Sequence, residues 1–163
     1  GQSPQYTTWL RELEKRGFGE DLREAAVCPI HPPFEFDGNY AQTYGVPMNT
    51  ELDPALELIP GSGNQSRVLH TVRIEDPANY VLLVDSVLKG DGPQWRTAWD
   101  AGNISGVHAR HEGKVNVALA DGSAASVTPE EYARMRRKTL EDPGLKVTYF
   151  NESGERLSIG ADN

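Results

Sequence analysis

The chain has 163 residues, a length that suits one domain with enough bulk to bury a core. Sixteen Lys and Arg against 24 Asp and Glu give a formal charge of -8, which argues against a nucleic-acid groove, since that needs a clustered basic stripe. A single cysteine, Cys28, excludes an internal disulfide, and no apolar run approaches the roughly 20 residues of a membrane helix.

In chain order, Ser3-Pro4 reads as an N-cap and first helical position, with Tyr6, Trp9, Leu10 and Leu13 at helical spacing and Gly17 as the stop. The expected helix, Pro4 to Arg16, would lay its apolar stripe on a sheet. A second short helix is expected from Glu20 to Ala26, and Cys28-Pro29 ends it because the residue before Pro leaves the α region. From Ile30 to Gly63 the prolines and glycines predict mainly loop, pinned to the body by Phe34, Phe36, Tyr40 and Tyr44, with one helical turn from Asp53 to Leu58. Gly61-Ser62-Gly63-Asn64 lacks the residues of a phosphate cradle and reads as a turn.

Alternation predicts a strand from Val68 to Ile74, and Tyr80 to Asp85, apolar on both faces, predicts a central strand. Trp95 and Trp99 form a candidate partner or sugar surface, weighed against simple packing. Val115, Val117 and Leu119 alternate with smaller residues, and Asp121-Gly122 predicts a type I′ hairpin turn to a return strand through Ala125 and Val127. Thr128-Pro129-Glu130-Glu131 carries the marks of a capped helix to about Leu140. Its Arg134-Met135-Arg136-Arg137-Lys138 run reads as cations offsetting the helix dipole. Leu145 to Phe150 and Arg156 to Ile159 complete a terminal hairpin.

The candidate chemical residues are Asp85, His108, His111 and Asp121. His108 and His111 are three apart, a spacing that lets two imidazoles share a metal in a helix or tight turn. An oxygen-ligand ion such as calcium is preferred to zinc there, because acids are plentiful and Cys28 is alone. His111 and Asp121 stand at opposite ends of a predicted strand, about 30 Å apart if fully extended, so separate structural roles are expected: Asp121 capping its own turn, His111 anchoring the loop before the strand. The chain has no Gly-x-Ser-x-Gly elbow, and Cys28 with His31 is not the usual spacing of a catalytic pair.

His111, nine residues, then Asp121-Gly122 resembles the signature of the prepilin-type proteins named for that spacing, relatives of the type II secretion pseudopilins. Gly113-Lys-Val-Asn-Val-Ala-Leu-Ala-Asp-Gly-Ser123 is similar to that family's Gly-x-x-Asn-x-x-Phe-x-Asp-Gly-His/Ser, with Leu119 in the place of Phe and Ser123 in the place of the commoner His. Trp9-Leu10, Cys28-Pro29, Tyr44-Gly45-Val46-Pro47-Met48-Asn49 and Val81-Leu-Leu-Val-Asp85 follow the family's order upstream.

The resemblance implies an α+β, pilin-like globular head over residues 1–163, its N-terminal helix packed on a mainly antiparallel sheet with a long ordered aromatic loop. It implies a structural subunit of a pilus-like or type II secretion-like pseudopilus, without catalytic residues or a required cofactor. Its partners would be other pilin-like subunits and the secretion machinery, with the head in the periplasm. A membrane helix preceding this segment, which starts Gly1-Gln2-Ser3 without Met, would anchor it in the bacterial inner membrane. The alternative is an extracytoplasmic binding or metal-dependent hydrolytic domain using His108, His111, Asp85 and Asp121.

Overall fold

A computed structural model describes residues 8–19, 21–49, 53–58, 67–89, 91–101 and 104–160. The expected Ser3-Pro4 helix start, Tyr6, the Gly61 to Asn64 turn, Gly90 and Gly102 lie outside the described residues. The described chain mixes helix and sheet and is mostly sheet, an α+β architecture.

Helix α1 (Trp9–Lys15) is capped by Thr8, whose hydroxyl accepts from the Arg11 N–H, and α2 (Asp21–Ala25) follows. α1 buries Leu10, and its polar and ring contacts run to the aromatic loop and to α2. The Trp9 indole donates to the Tyr44 carbonyl, Tyr40 donates to Glu14, and Arg23 of α2 pairs with the same Glu14 carboxylate. Phe36 meets Tyr40 edge-on at 5.1 Å, so that loop is pinned largely as expected, while Phe34 is exposed.

The loop also contains two strands that its prolines and glycines hid. β1 (Val46–Met48) and β2 (Leu56–Leu58) are both three residues long, and β2 replaces the helical turn expected to Leu58. β2 pairs with β3 (Arg67–Leu69), after which Thr71–Arg73 forms a 3-10 turn in place of the rest of the expected strand to Ile74. Val72 of that turn is 94% exposed, so the alternation there did not mark a buried face.

β4 (Val81–Val84) and β5 (Ser86–Leu88) are separated only by Asp85. β6 (Thr97–Trp99) pairs in parallel with β1. β7 (Ser105–Ala109), β8 (Val115–Leu119), β9 (Ala124–Val127), α3 (Pro129–Thr139), β10 (Val147–Asn151) and β11 (Arg156–Ile159) complete the order. One sheet runs β4-β8-β9 and another β11-β10-β7-β5, antiparallel apart from the β7–β10 pair. β4 is thus an edge strand of its sheet, not a central one, and Val84 is covered instead by a bridge to Gly45.

The chain passes from the three-stranded to the four-stranded sheet at Asp85, and back between β7 and β8 through Arg110 to Lys114. Val84 faces Val117 of β8, and one residue beyond Asp85, Ser86 faces Val107 of β7. Asp85 is bonded to both sheets: its N–H donates to the Asn116 carbonyl, and its carbonyl accepts from His108 N–H. These two crossings bring Asp85 and His111 together.

β8 buries Val115, Val117 and Leu119, as the alternation predicts. The turn after it differs from type I′. Gly122 has φ 88, whereas Asp121 is not among the positive-φ residues; Gly122 N–H donates to Leu119 O and Leu119 N–H to Ser123 O. That is a three-residue loop, a type I turn closed by glycine in a bulge. Asp121 does cap it, accepting from Ser123 N–H at 2.9 Å and from the Ser123 hydroxyl.

α3 starts with the expected capping box between Thr128 and Glu131. It buries Tyr132, Ala133 and Met135 against Val81, Val84, Val107, Val115, Val117 and Val147. The basic run does place Arg136, Arg137 and Lys138 in the last turn, with Arg134 and Lys138 exposed, but Arg136 has a different role. Arg136 is 1% exposed and lies against Asp100, with Nε–Oδ1 at 3.1 Å and Nη2–Oδ2 at 2.9 Å. Tyr132 donates to the same Asp100, Tyr80 to Asp53, and Asp53 lies 3.8 Å from Arg136. Arg137 donates to the carbonyls of Leu145, Ile159 and Gly160, and Lys138 pairs with Asp76.

Candidate functional site

Three segments distant in sequence converge behind the sheet crossings. Cys28, past the end of α2, has no exposed surface; its N–H donates to Gln94 Oε1 and its Sγ lies 3.5 Å from His111 Nε2. Asp85 is fully buried at the corner between β4 and β5, with Oδ2 at 3.3 Å from the same His111 Nε2 and accepting the Asn116 N–H at 2.7 Å. The His111 side chain is 25% exposed, so the group meets solvent on its imidazole side. His111 is held there by a tight turn, bridged to Lys114 across Glu112 and Gly113, both at positive φ.

Two further side chains border the group. Arg110, 8% exposed, places Nε 3.8 Å from Asp85 Oδ1 and donates from Nη2 to the Ser86 carbonyl. The Tyr44 phenol interacts with Cys28 and Asp85, and burial, followed by the nearby Asp85 and Cys28, pushes its ionisation up. Burial also raises the Asp85 carboxyl, against the opposing pull of Arg110, the Asn116 N–H and His111. A buried carboxylate between a guanidinium, an amide and an imidazole anchors the 110–116 crossing to the corner between β4 and β5.

The arrangement differs from a nucleophilic triad. In a triad the nucleophile and the orienting carboxylate occupy opposite nitrogens of the imidazole. Here Cys28 Sγ and Asp85 Oδ2 both face Nε2, and the thiol has no surface open to a substrate. Cys28 and His31 are joined through the backbone, His31 N–H donating to the Cys28 carbonyl, while the His31 ring serves other partners: Nε2 donates to the Gly92 carbonyl, and the ring lies edge-on to His108 at 4.8 Å.

Of the four sequence candidates, the structure brings together Asp85 and His111 and leaves His108 and Asp121 outside that group. His108 and His111 are not in a helix or a shared turn. His108 is the last but one residue of β7 and donates from Nε2 to the Asn151 carbonyl, which leaves buried Nδ1 without a partner among the described residues. Its ionisation is pushed down to about 3 by burial, then by the charge of Arg110 and by His31. Asp121 sits exposed at the far end of β8. The third member of the group, Cys28, was missed as a partner of His111 because 83 residues separate them and neither spacing nor periodicity connects them. Their common membership of the family-like motif pieces was the available signal.

The tryptophans are placed differently from each other. Trp99 lies on β6 and is 38% exposed, while Trp95 is half-buried, with the Arg96 guanidinium 5.6 Å from its ring centre.

No family model, curated protein or solved structure matches the chain.

Proposed function

We propose that this chain is the head domain of a pilin-like structural subunit, serving a pilus-like fibre or a type II secretion-like pseudopilus. Its head lies in the periplasm, held at the bacterial inner membrane by an apolar helix encoded before this segment, and meets other pilin-like subunits and the secretion machinery. It works by shape and contact, not by catalysis.

The observation that carries this reading is where the motif pieces meet. Cys28, Tyr44, Asp85, His111 and Asn116 are spread over the chain, yet they gather around two buried side chains, Cys28 and Asp85, with Tyr44, His111 and Asn116 half-buried at their edge. Gly45 belongs with them: its backbone exchanges hydrogen bonds with Val84, and a β-carbon there would lie 2.7 Å from Ser86 Cβ. Distant motif pieces gathered around a buried pair are what a family-wide fold determinant requires, and burial of Cys28 and Asp85 suits architecture better than turnover. Asp121-Gly122 belongs to the same pattern as the closure of the β8–β9 hairpin.

The reading frame upstream of this segment tests the proposal. A short basic leader followed directly by about 20 apolar residues is the expected result. A frame that continues into a globular domain, or starts here with neither feature, contradicts it.

A further inference from the structure

We propose that Cys28 Sγ, Asp85 Oδ2 and His111 Nε2 form a binding site for a divalent transition metal of the zinc class, which staples the two sheet crossings to the segment after α2. The inference is independent of the pilin-like reading.

The donor geometry comes first. One sulfur, one nitrogen and one oxygen lie within 4.8 Å of one another, with separations of 3.5 Å from sulfur to nitrogen and 3.3 Å from nitrogen to oxygen. Tetrahedral zinc with bonds of about 2.3 Å to sulfur and about 2.0–2.2 Å to nitrogen and oxygen requires ligand edges of about 3.5 and 3.4 Å. Two of the three edges are therefore already close to ligation distance. A thiolate, an imidazole and a single carboxylate suit zinc-class ions and not calcium, which takes six to eight oxygens.

Proton accounting points the same way. His111 Nε2 faces two groups at once, and one ring nitrogen holds either one proton or one lone pair. As a donor it serves the carboxylate and the sulfur only by sharing one proton; as an acceptor its single lone pair takes a proton from the thiol or from a protonated carboxyl, and not from both. A cation among the three satisfies all of them.

The surroundings supply a second, separate observation. Asp85 Oδ1 and Arg110 Nε face each other at 3.8 Å, beyond hydrogen-bond length, and among the described residues neither they nor Arg110 Nη1 and Gln94 Nε2 have a hydrogen-bond partner. Gln94 touches Cys28 and Arg110 touches Asp85, so these atoms border the proposed site. Buried polar atoms normally have partners; the Arg110 and Gln94 donors call for ordered water, and Asp85 Oδ1 is the one orphaned oxygen on a group that also faces the proposed ion. His111 provides the entry path and the direction of a fourth, water ligand. Binding releases the thiol proton to solvent, after which thiolate and carboxylate balance the divalent charge. The Arg110 charge remains beside them and weakens binding, so the site is expected to fill from added metal.

The test is titration of the purified, reduced, metal-free chain with cobalt(II), then with zinc. Cobalt is expected to produce a sulfur-to-metal charge-transfer band that saturates at one equivalent and is abolished by zinc. Zinc alone is expected to raise the melting temperature. Cys28→Ser should remove the band, and His111→Gln or Asp85→Asn should weaken loading at least tenfold. Wild-type chain that shows no thiolate band and melts at the same temperature with and without zinc overturns the proposal, whether or not the variants fold. Undiminished cobalt affinity in a folded His111→Gln variant also overturns it. Neither result bears on a membrane anchor encoded upstream.

Discussion

Gly45 and Gly122 are both required, for opposite reasons. At Gly122 a β-carbon would touch nothing within 4 Å, but φ is 88, so Gly122→Val is costly through backbone conformation alone. At Gly45 no positive φ is involved, and the obstacle is Ser86 and the Trp95 carbonyl at 2.7 and 3.0 Å. Each substitution is expected to cost about 1–3 kcal/mol in denaturant melts. Combining Gly45→Ala with Ser86→Gly should recover part of the first loss and leave Gly122→Val unrelieved. A Gly122→Val protein as stable as the parent would show that the hairpin turn is not the one described.

His108 supplies the pH dependence at the same scale. Its folded form resists protonation down to about pH 3, whereas an exposed imidazole takes a proton near 6.5. The unfolded chain therefore binds more protons between those values, and the contribution of neutral His108 is complete above 6.5 and lost as pH falls toward 3. Burial, then the Arg110 charge and the neighbouring His31 and His111, oppose its protonation, while the bond to the Asn151 carbonyl acts in the opposite sense. With chelator present, His108→Gln is expected to flatten the fall in stability between pH 6.5 and 4, read from urea midpoints. A profile as steep as the parent's would assign the acid sensitivity elsewhere.

At the scale of elements, α3 is held by both an apolar face and a buried ion pair. Arg136 makes a two-pronged contact with Asp100, just past β6, and Asp53 and Tyr132 complete its surroundings. Asp100→Ala leaves a guanidinium without its main partner in the core and is expected to cost about 3–5 kcal/mol. By contrast, Thr128→Ala at the exposed start of α3 removes one cap and should cost about 1 kcal/mol. Thermal melts of the two variants separate these mechanisms, and equal losses would contradict the ranking.

The elements also show which features could be read in advance. The capping box of α3, the Asp121 cap, the alternation of β8 and the terminal hairpin are written in neighbouring residues, and each formed. Val68 to Ile74 failed because alternation records periodicity without burial: only Arg67–Leu69 found a partner strand. β1 was hidden because a strand containing Pro47 is stabilised by its parallel partner β6, 51 positions away in register. Arg136 looked like one cation in a basic run, since Asp100, which draws it inward, is 36 residues distant.

For the whole molecule, the two crossings between sheets decide where the unusual chemistry lies. Asp85 belongs to both sheets through its backbone and therefore cannot be placed from the pattern of either strand. Sequence reasoning identified Asp85 and His111 individually; the fold supplied Cys28 and separated His108 and Asp121 from them. The pilin-like reading gives that buried junction a purpose, as the fixed frame of a head whose outer surface meets other subunits.

Cell fractionation of the natural full-length gene product tests that reading most directly. The account predicts that the protein sediments with the inner membrane and resists extraction by high salt, and that its head becomes accessible to protease only once the outer membrane is opened. Full-length protein recovered entirely in the soluble cytoplasmic fraction would contradict it.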